Sequence, residues 1–274
     1  MEAAVYETII VPLDLSVPHP AAVGLAEALS HRSGAPVRVV TVSSPGLDHE
    51  EDEHALEKLA DYVDAADVRT EVIDSNDVPA ALLDVAGADG LLCLETRARG
   101  PLSSIVLGSV AAGVLRKATR PVLLVGPDAR PDPALELLEV CIDGPDAAAA
   151  LVPVAGEWAR RFRVRPRLLS VWVPGQLRRF RTPEAAEELL AGVASRLAEE
   201  LRIDVDWEVV EAAAAPAAIV EDAERHLASV VAVAVRPHPR LQRVLGSVAM
   251  AVAHSSGAAV LAVPCEPAAA VAMP

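Results

Sequence analysis

Aromatic residues make up only 3% of these 274 residues, so the core cannot rest on large rings and must be built from Ala, Val, Leu and Ile. That mixture suits buried parallel strands covered by Ala-rich helices. Cysteine is scarce too. Cys93, Cys141 and Cys265 are odd in number and widely spaced, and Cys93 and Cys141 sit in apolar, strand-like runs. They read as reduced, small hydrophobic residues, which points to the cytosol. No apolar stretch approaches the roughly 20 residues of a bilayer span, and the start lacks the basic segment of a secretion signal. Basic charge is also in deficit. The net charge is −15, and a cut near residue 130 leaves 10 basic against 20 acidic residues before it and 14 against 19 after it. Neither half is suited to nucleic acid or to an anionic membrane. Gly-x-Ser-x-Gly, Walker, His-Glu-x-x-His and Cys-x-x-Cys patterns are all missing. With no nucleophile–base–orienter set in view, the chain reads as a non-enzyme.

What is present is a repeat. Val106-Leu107-Gly108-Ser109-Val110-Ala111 recurs letter for letter as Val244-Leu245-Gly246-Ser247-Val248-Ala249, 138 residues later. Near the start of each half an apolar run ends in an acid, at Asp14 and at Asp143, and there the offset is 129. Repeats of this kind decide the architecture before any finer reading. Each copy alternates short β-branched runs with longer helical patterns, which implies parallel strands joined by right-handed crossovers. The fold class is therefore α/β, with two doubly wound, Rossmann-like parallel five-stranded sheets in tandem. The expected domains are 1–130 and 136–274, with Pro127, Pro131 and Pro133 marking the junction. For a strand order 2-1-3-4-5 or 3-2-1-4-5, the ligand crevice lies beyond the end of strand 1, beside Asp14 and Asp143.

The run from Leu92 to Pro101, with Gly108-Ser109 and Pro121–Val125 after it, resembles the last third of a universal stress protein domain. Ile10–Ser16 resembles that domain's first strand and turn, and the likeness extends to both copies. The resemblance implies a stress-response protein and, in nucleotide-binding members, a Gly-x-x-Gly, nine residues, Gly-Ser/Thr motif after strand 4. Glycines let the backbone approach phosphate, while free N–H groups of the next helix point at the anion. Carried over by residue, Gly108 and Ser109 match the final pair, and Val110 follows them. The earlier glycines are replaced by Glu95 and Ala98. Ala98 costs about 1 kcal/mol where positive φ is required. Glu95 repels a polyphosphate, with Arg97 and Arg99 as partial compensation. Asp14 after Pro12 matches the strand-1 acid, and Val42 the adenine-contacting valine. The implied ligand is ATP or AMP, held by the first copy.

The second copy retains Asp143, Gly246 and Ser247 but has Arg236-Pro237-His238-Pro239-Arg240 for its loop. Aligning Val235 with Glu95 makes that loop two residues shorter, so the second site is expected to be degenerate, closed or repurposed. Beside each functional reading stands a plainer one. The Gly-Ser serines and the two aspartates cap the helices that follow, Arg236 to Arg243 form a solvated basic loop, and the acids of 49–54 favour a helix N-terminus. Arg160 to Arg167 read as a solvated helix end and strand entry.

The resemblance further implies that the copies pair through their last strands as an intramolecular pseudo-dimer. A homodimer and an unidentified protein partner stay open. Three functions follow as expectations: a regulatory binding protein with an adenine-nucleotide site in the first copy, a nucleotide-independent interaction scaffold, and a slow ATPase.

Overall fold

The computed structural model describes residues 6–15, 21–65, 67–96, 108–126, 129, 134–175, 180, 182–236 and 247–265. In the first half these form β1 (Thr8–Pro12), α1 (Ala21–Ser33), β2 (Val37–Ser43), α2 (Glu50–Ala60), β3 (Val68–Asp74), α3 (Val78–Ala86), β4 (Gly90–Glu95), α4 (Ser109–Lys117) and β5 (Val122–Val125). The second half repeats the order as β6 (Leu137–Cys141), α5 (Pro145–Phe162), β7 (Arg165–Trp172), α6 (Pro183–Leu201), β8 (Trp207–Glu211), α7 (Ala215–Arg225), β9 (Val230–Val235), α8 (Ser247–Ser255) and β10 (Ala259–Pro264). Pro sits in the first turn of α3, α5, α6 and α7, where its missing N–H breaks no helical bond.

All ten strands share one sheet, ordered β3-β2-β1-β4-β5-β10-β9-β6-β7-β8. Each half thus has the order 3-2-1-4-5, and its strands are parallel. The halves meet where β5 and β10 pair antiparallel, with Leu261 opposite Leu123. The central strands are buried on both faces, as covered parallel strands must be. Core residues of α1, α2, α5 and α6 pack on one face, and those of α3, α4, α7 and α8 on the other.

A second seam joins the halves on the first face. Tyr6 stacks on Phe162 at 5.8 Å between ring centroids, and Trp158 meets Phe162 edge-on at 4.9 Å. Burial pushes the Tyr6 phenol up to about 12. Arg161 Nε donates to the Tyr6 carbonyl at 3.1 Å, so the arginines of this stretch are not simply solvated. Three of the chain's seven aromatic rings meet at this seam.

The sheet register also corrects the alignment. Ile10 faces both Arg38 and Leu92, while Glu139 faces both Arg167 and Val231. Val231 therefore stands where Leu92 does, and it is Ala234, not Val235, that corresponds to Glu95. The second loop has lost one residue rather than two. Arg236 then occupies the register position of Arg97.

Candidate functional site

The chain winds in opposite directions from β1 and β4, and from β6 and β9, so each half opens a crevice beyond those carboxyl ends. In the first half, Pro12, Asp14, Val42, Gly108, Ser109 and Val110 line one cavity of about 540 Å³. The structure thus brings together six of the residues expected from the sequence. Arg97 and Ala98 lie outside the described residues. Thr41, Ser43, Asp52, Val78 and Leu82 also line it, a set no motif announces. Two of them are tied down. Thr41 Oγ1 donates to the Leu13 carbonyl at 3.1 Å, and Ser43 Oγ donates to Asp52 Oδ2 at 2.5 Å.

Gly108 is the N-cap of α4, and among the described residues no side chain caps that helix. Ser109 is therefore its first helical residue, not the cap expected in the plainer reading. The early N–H groups of α4 consequently border the cavity with no side-chain acceptor among the described residues, an arrangement suited to an anion. Against that stand Asp14, Asp52 and Glu95, the charged residues among the described lining. The described charged side chains of the wall are acids, and the helix end is electropositive.

The second half has a cavity too, of about 710 Å³, between β6, β7, β9 and the starts of α7 and α8. It is not closed. Asp143 lies in its wall but does not cap α5, whose N-cap is Gly144 at φ 147°, a conformation that needs glycine. Instead Arg236 grips Asp143 in a fork: Nη2 donates to Oδ1 at 2.9 Å and Nη1 to Oδ2 at 3.2 Å. Arg236 is thus an ion-pair partner rather than a solvated loop residue. His238, Arg240 and Gly246 lie outside the described residues, as does the Ser247 side chain, although Ser247 begins α8.

Below this cavity is a buried charge cluster that sequence reading missed. Arg167, read as solvated, is only 6% exposed, and it bonds Asp222, Glu208 and Glu139 on three different elements. The first half holds the same cross-strand pair, Arg38 with Glu71, but it has Ile10 where the second has Glu139. Glu139 has no exposed surface, and burial beside Asp222 pushes its carboxyl up to about 9. Cys141 Sγ lies 3.9 Å from Glu139 Oε1, and burial holds the thiol well above its ordinary range. A charged residue in an otherwise apolar strand, Glu139 in Leu-Leu-Glu-Val-Cys, is the signal that could have exposed this cluster. Elsewhere His49 Nε2 lies 2.7 Å from Asp74 Oδ1, ahead of a helix whose first turn is wholly acidic.

An α/β sheet wound twice in the order 3-2-1-4-5, with a helix N-terminus over each crevice, defines a tandem doubly wound, Rossmann-like fold. The family model described as Universal stress protein family matches residues 5–126 and 138–264, and the chain belongs to that family. It is similar over its length to the universal stress protein of Archaeoglobus fulgidus DSM 4304, at 18% identity and TM-score 0.67, covering 94% of this chain and 98% of that one. It is also similar to a functionally unknown protein of Pseudomonas aeruginosa PAO1, at 17% identity and TM-score 0.66 over 96% and 94% of the chains. A putative universal stress protein of Pseudomonas aeruginosa UCBPP-PA14 gives 17% identity and TM-score 0.65 over 96% and 94%. Among the described residues, no helix is long and apolar enough to cross a membrane.

Proposed function

We propose that this chain is a cytosolic regulatory binding protein of the stress response, and that its first crevice takes an adenine nucleotide without catalysing a reaction. One observation carries the reading: Asp14, Val42 and Gly108-Ser109, from three separate segments of the first half, line one cavity. Val42 offers the apolar wall for a base, Asp14 an acceptor for ribose hydroxyls, and the start of α4 its N–H groups for phosphate. The carboxylates of Asp14, Asp52 and Glu95 oppose each added phosphate, so AMP is the better-matched ligand and ATP the poorer. Calorimetric titration with AMP and ATP tests this. Saturable heat with AMP, weaker with ATP and abolished by Gly108→Trp, is the expected result; no heat from either at millimolar ligand removes the nucleotide from the reading.

The acidic wall of the same crevice favours a second reading, in which the protein is a nucleotide-independent scaffold for a protein partner. A partner retained from stressed cells equally with and without AMP supports it. Release of that partner by AMP returns the first reading.

A further inference from the structure

The two crevices occupy the same place in the same fold but are lined by different chemistry. Around the first, the charged residues among the described lining are Asp14, Asp52 and Glu95, all acids. Register shows what the second copy does with these positions. Glu95, at the end of β4, becomes Ala234 near the end of β9. Ser43, at the end of β2, becomes Trp172 at the end of β7. Asp52 of α2 has no counterpart from α6 among the described lining. Asp14 alone is kept, as Asp143, and there both carboxylate oxygens accept from Arg236. A fork of this kind matches the charge of the arginine and that of the aspartate together. Apart from the pair, the described lining of the second cavity carries no charged side chain, hydroxyl or amide.

What remains is apolar and partly aromatic. The apolar side of the first crevice is retained, with Val171 for Val42 and Ile219 for Leu82 at the same place in α7 as in α3. Two of the chain's seven aromatic residues, Trp172 and Phe180, join that wall, while the described lining of the first crevice holds none. Both are only partly buried, so each leaves ring surface that a ligand would withdraw from water. The cavity is also the larger of the two, about 710 Å³ against 540 Å³, which is ample for a molecule of one or two rings. An ionised ligand would shed hydration on entry and meet no unmatched charge among the described lining. An uncharged one keeps the hydrophobic gain without that cost.

We propose that the crevice of the second half is a binding site for an uncharged small molecule with an aromatic body, seated against Trp172, Phe180, Val171 and Ile219. The site is separate from the proposed nucleotide crevice, and binding there requires no nucleotide.

The test follows the fluorescence of N-phenyl-1-naphthylamine, an uncharged probe that brightens in apolar surroundings. It is added to the full chain and, in parallel, to the Gly108→Trp chain, in which the first crevice is blocked. Both are expected to take one probe per chain, with an affinity that does not change between low and high salt. Three competitors of one shape are then compared: 3-phenylpropanol, 3-phenylpropionate and 3-phenylpropylammonium. The alcohol should displace the probe, and both ions should do so at least about tenfold more weakly. Ala234→Glu and Trp172→Ser restore the first copy's residues, and each should weaken probe binding at least about tenfold. Circular dichroism identifies a variant that fails to fold, and the other then carries the comparison. Absence of saturable binding overturns the proposal. So does displacement by either ion as good as by the alcohol, or binding unchanged in the folded variants. Probe uptake only when a dimer is diluted would assign the crevice to a second copy of the chain, and would overturn it too.

Discussion

Arg32, at the end of α1, donates from Nε to the Phe162 carbonyl at 2.8 Å, joining the first half of the chain to a residue 130 positions later. Its Nη2 reaches the carbonyls of Arg163 at 2.6 Å and Leu135 at 3.3 Å. Phe162 ends α5, and Arg163 turns left-handed at φ 54°, so both carbonyls lie beyond the helical hydrogen-bond ladder. One side chain of the first copy therefore satisfies the helix end of the second.

Arg32→Ala is expected to lower stability by about 1–3 kcal/mol, since hydrogen bonds from a charged donor are lost and the carbonyls are only partly reached by water. Because the contact spans the seam, both halves should weaken together. Calorimetry should show a single transition moved to lower temperature. Two separated transitions in the variant would mean that other contacts had held the halves together.

The β5–β10 pairing consumes the last-strand edge of each half, so the chain is expected to be a monomer in solution. Leu124→Lys places a charge in a fully buried strand opposite Val260 and should open this pair. Light scattering after size exclusion should then find dimers or larger species. A variant that stays folded and monomeric would show that β5 and β10 are not the edges that hold the chain closed.

Glu139 makes stability depend on pH in a stated direction. Its carboxyl is raised to about 9 by burial, so the folded chain keeps a proton that the unfolded chain releases in the ordinary carboxylate range. Its stabilising share is complete at acid pH and is lost as pH rises toward 9. Glu139→Gln keeps the neutral form and removes the titration. Between about pH 5 and pH 9 the variant's profile should be flatter by up to about 1.4 kcal/mol per pH unit. Urea midpoints at pH 5, 7 and 9 measure this, and parallel profiles would refute it.

Two glycines that look alike in sequence should respond differently to Ala. A Cβ on Gly126 would lie 1.9 Å from the Ala253 carbonyl oxygen, a backbone atom of α8 that cannot yield cheaply. Gly126→Ala is expected to cost more than about 2 kcal/mol, by overpacking. A Cβ on Gly108 meets nothing within 4 Å, so Gly108→Ala should leave the thermal midpoint nearly unchanged. Equal losses in a thermal shift assay would contradict the packing described.

Glu95→Ala bears on the proposed nucleotide site. Removing one carboxylate from the crevice should raise affinity for ATP more than for AMP, because each phosphate carries charge to be repelled. Calorimetry of the folded variant checks the ratio, and an unchanged ratio would place Glu95 away from the phosphates.

Much of this molecule was written locally. The Val-Leu-Gly-Ser-Val-Ala repeat, the alternation of β-branched runs with helical stretches, and prolines at helix starts such as Pro145 and Pro216 each act over a few residues. They sufficed for the tandem α/β class and for a crevice beyond the end of the first strand beside Asp14; the role of Gly108-Ser109 there and the pairing of last strands came from the family resemblance. Sequence left the order 3-2-1-4-5 as one of two, because neighbouring strands are chosen by packing across whole crossovers. It also misplaced the second loop by one residue, since Val235 and Ala234 are equally apolar and only their partners on β6 and β10 tell them apart. Arg167 and Arg236 were read as solvated for the same reason. A charge is buried or exposed according to what stands opposite, and here the answers are Asp222, 55 residues on, and Asp143, 93 residues back. Composition and spacing settled what the elements are; long-range contact decided which charges they enclose.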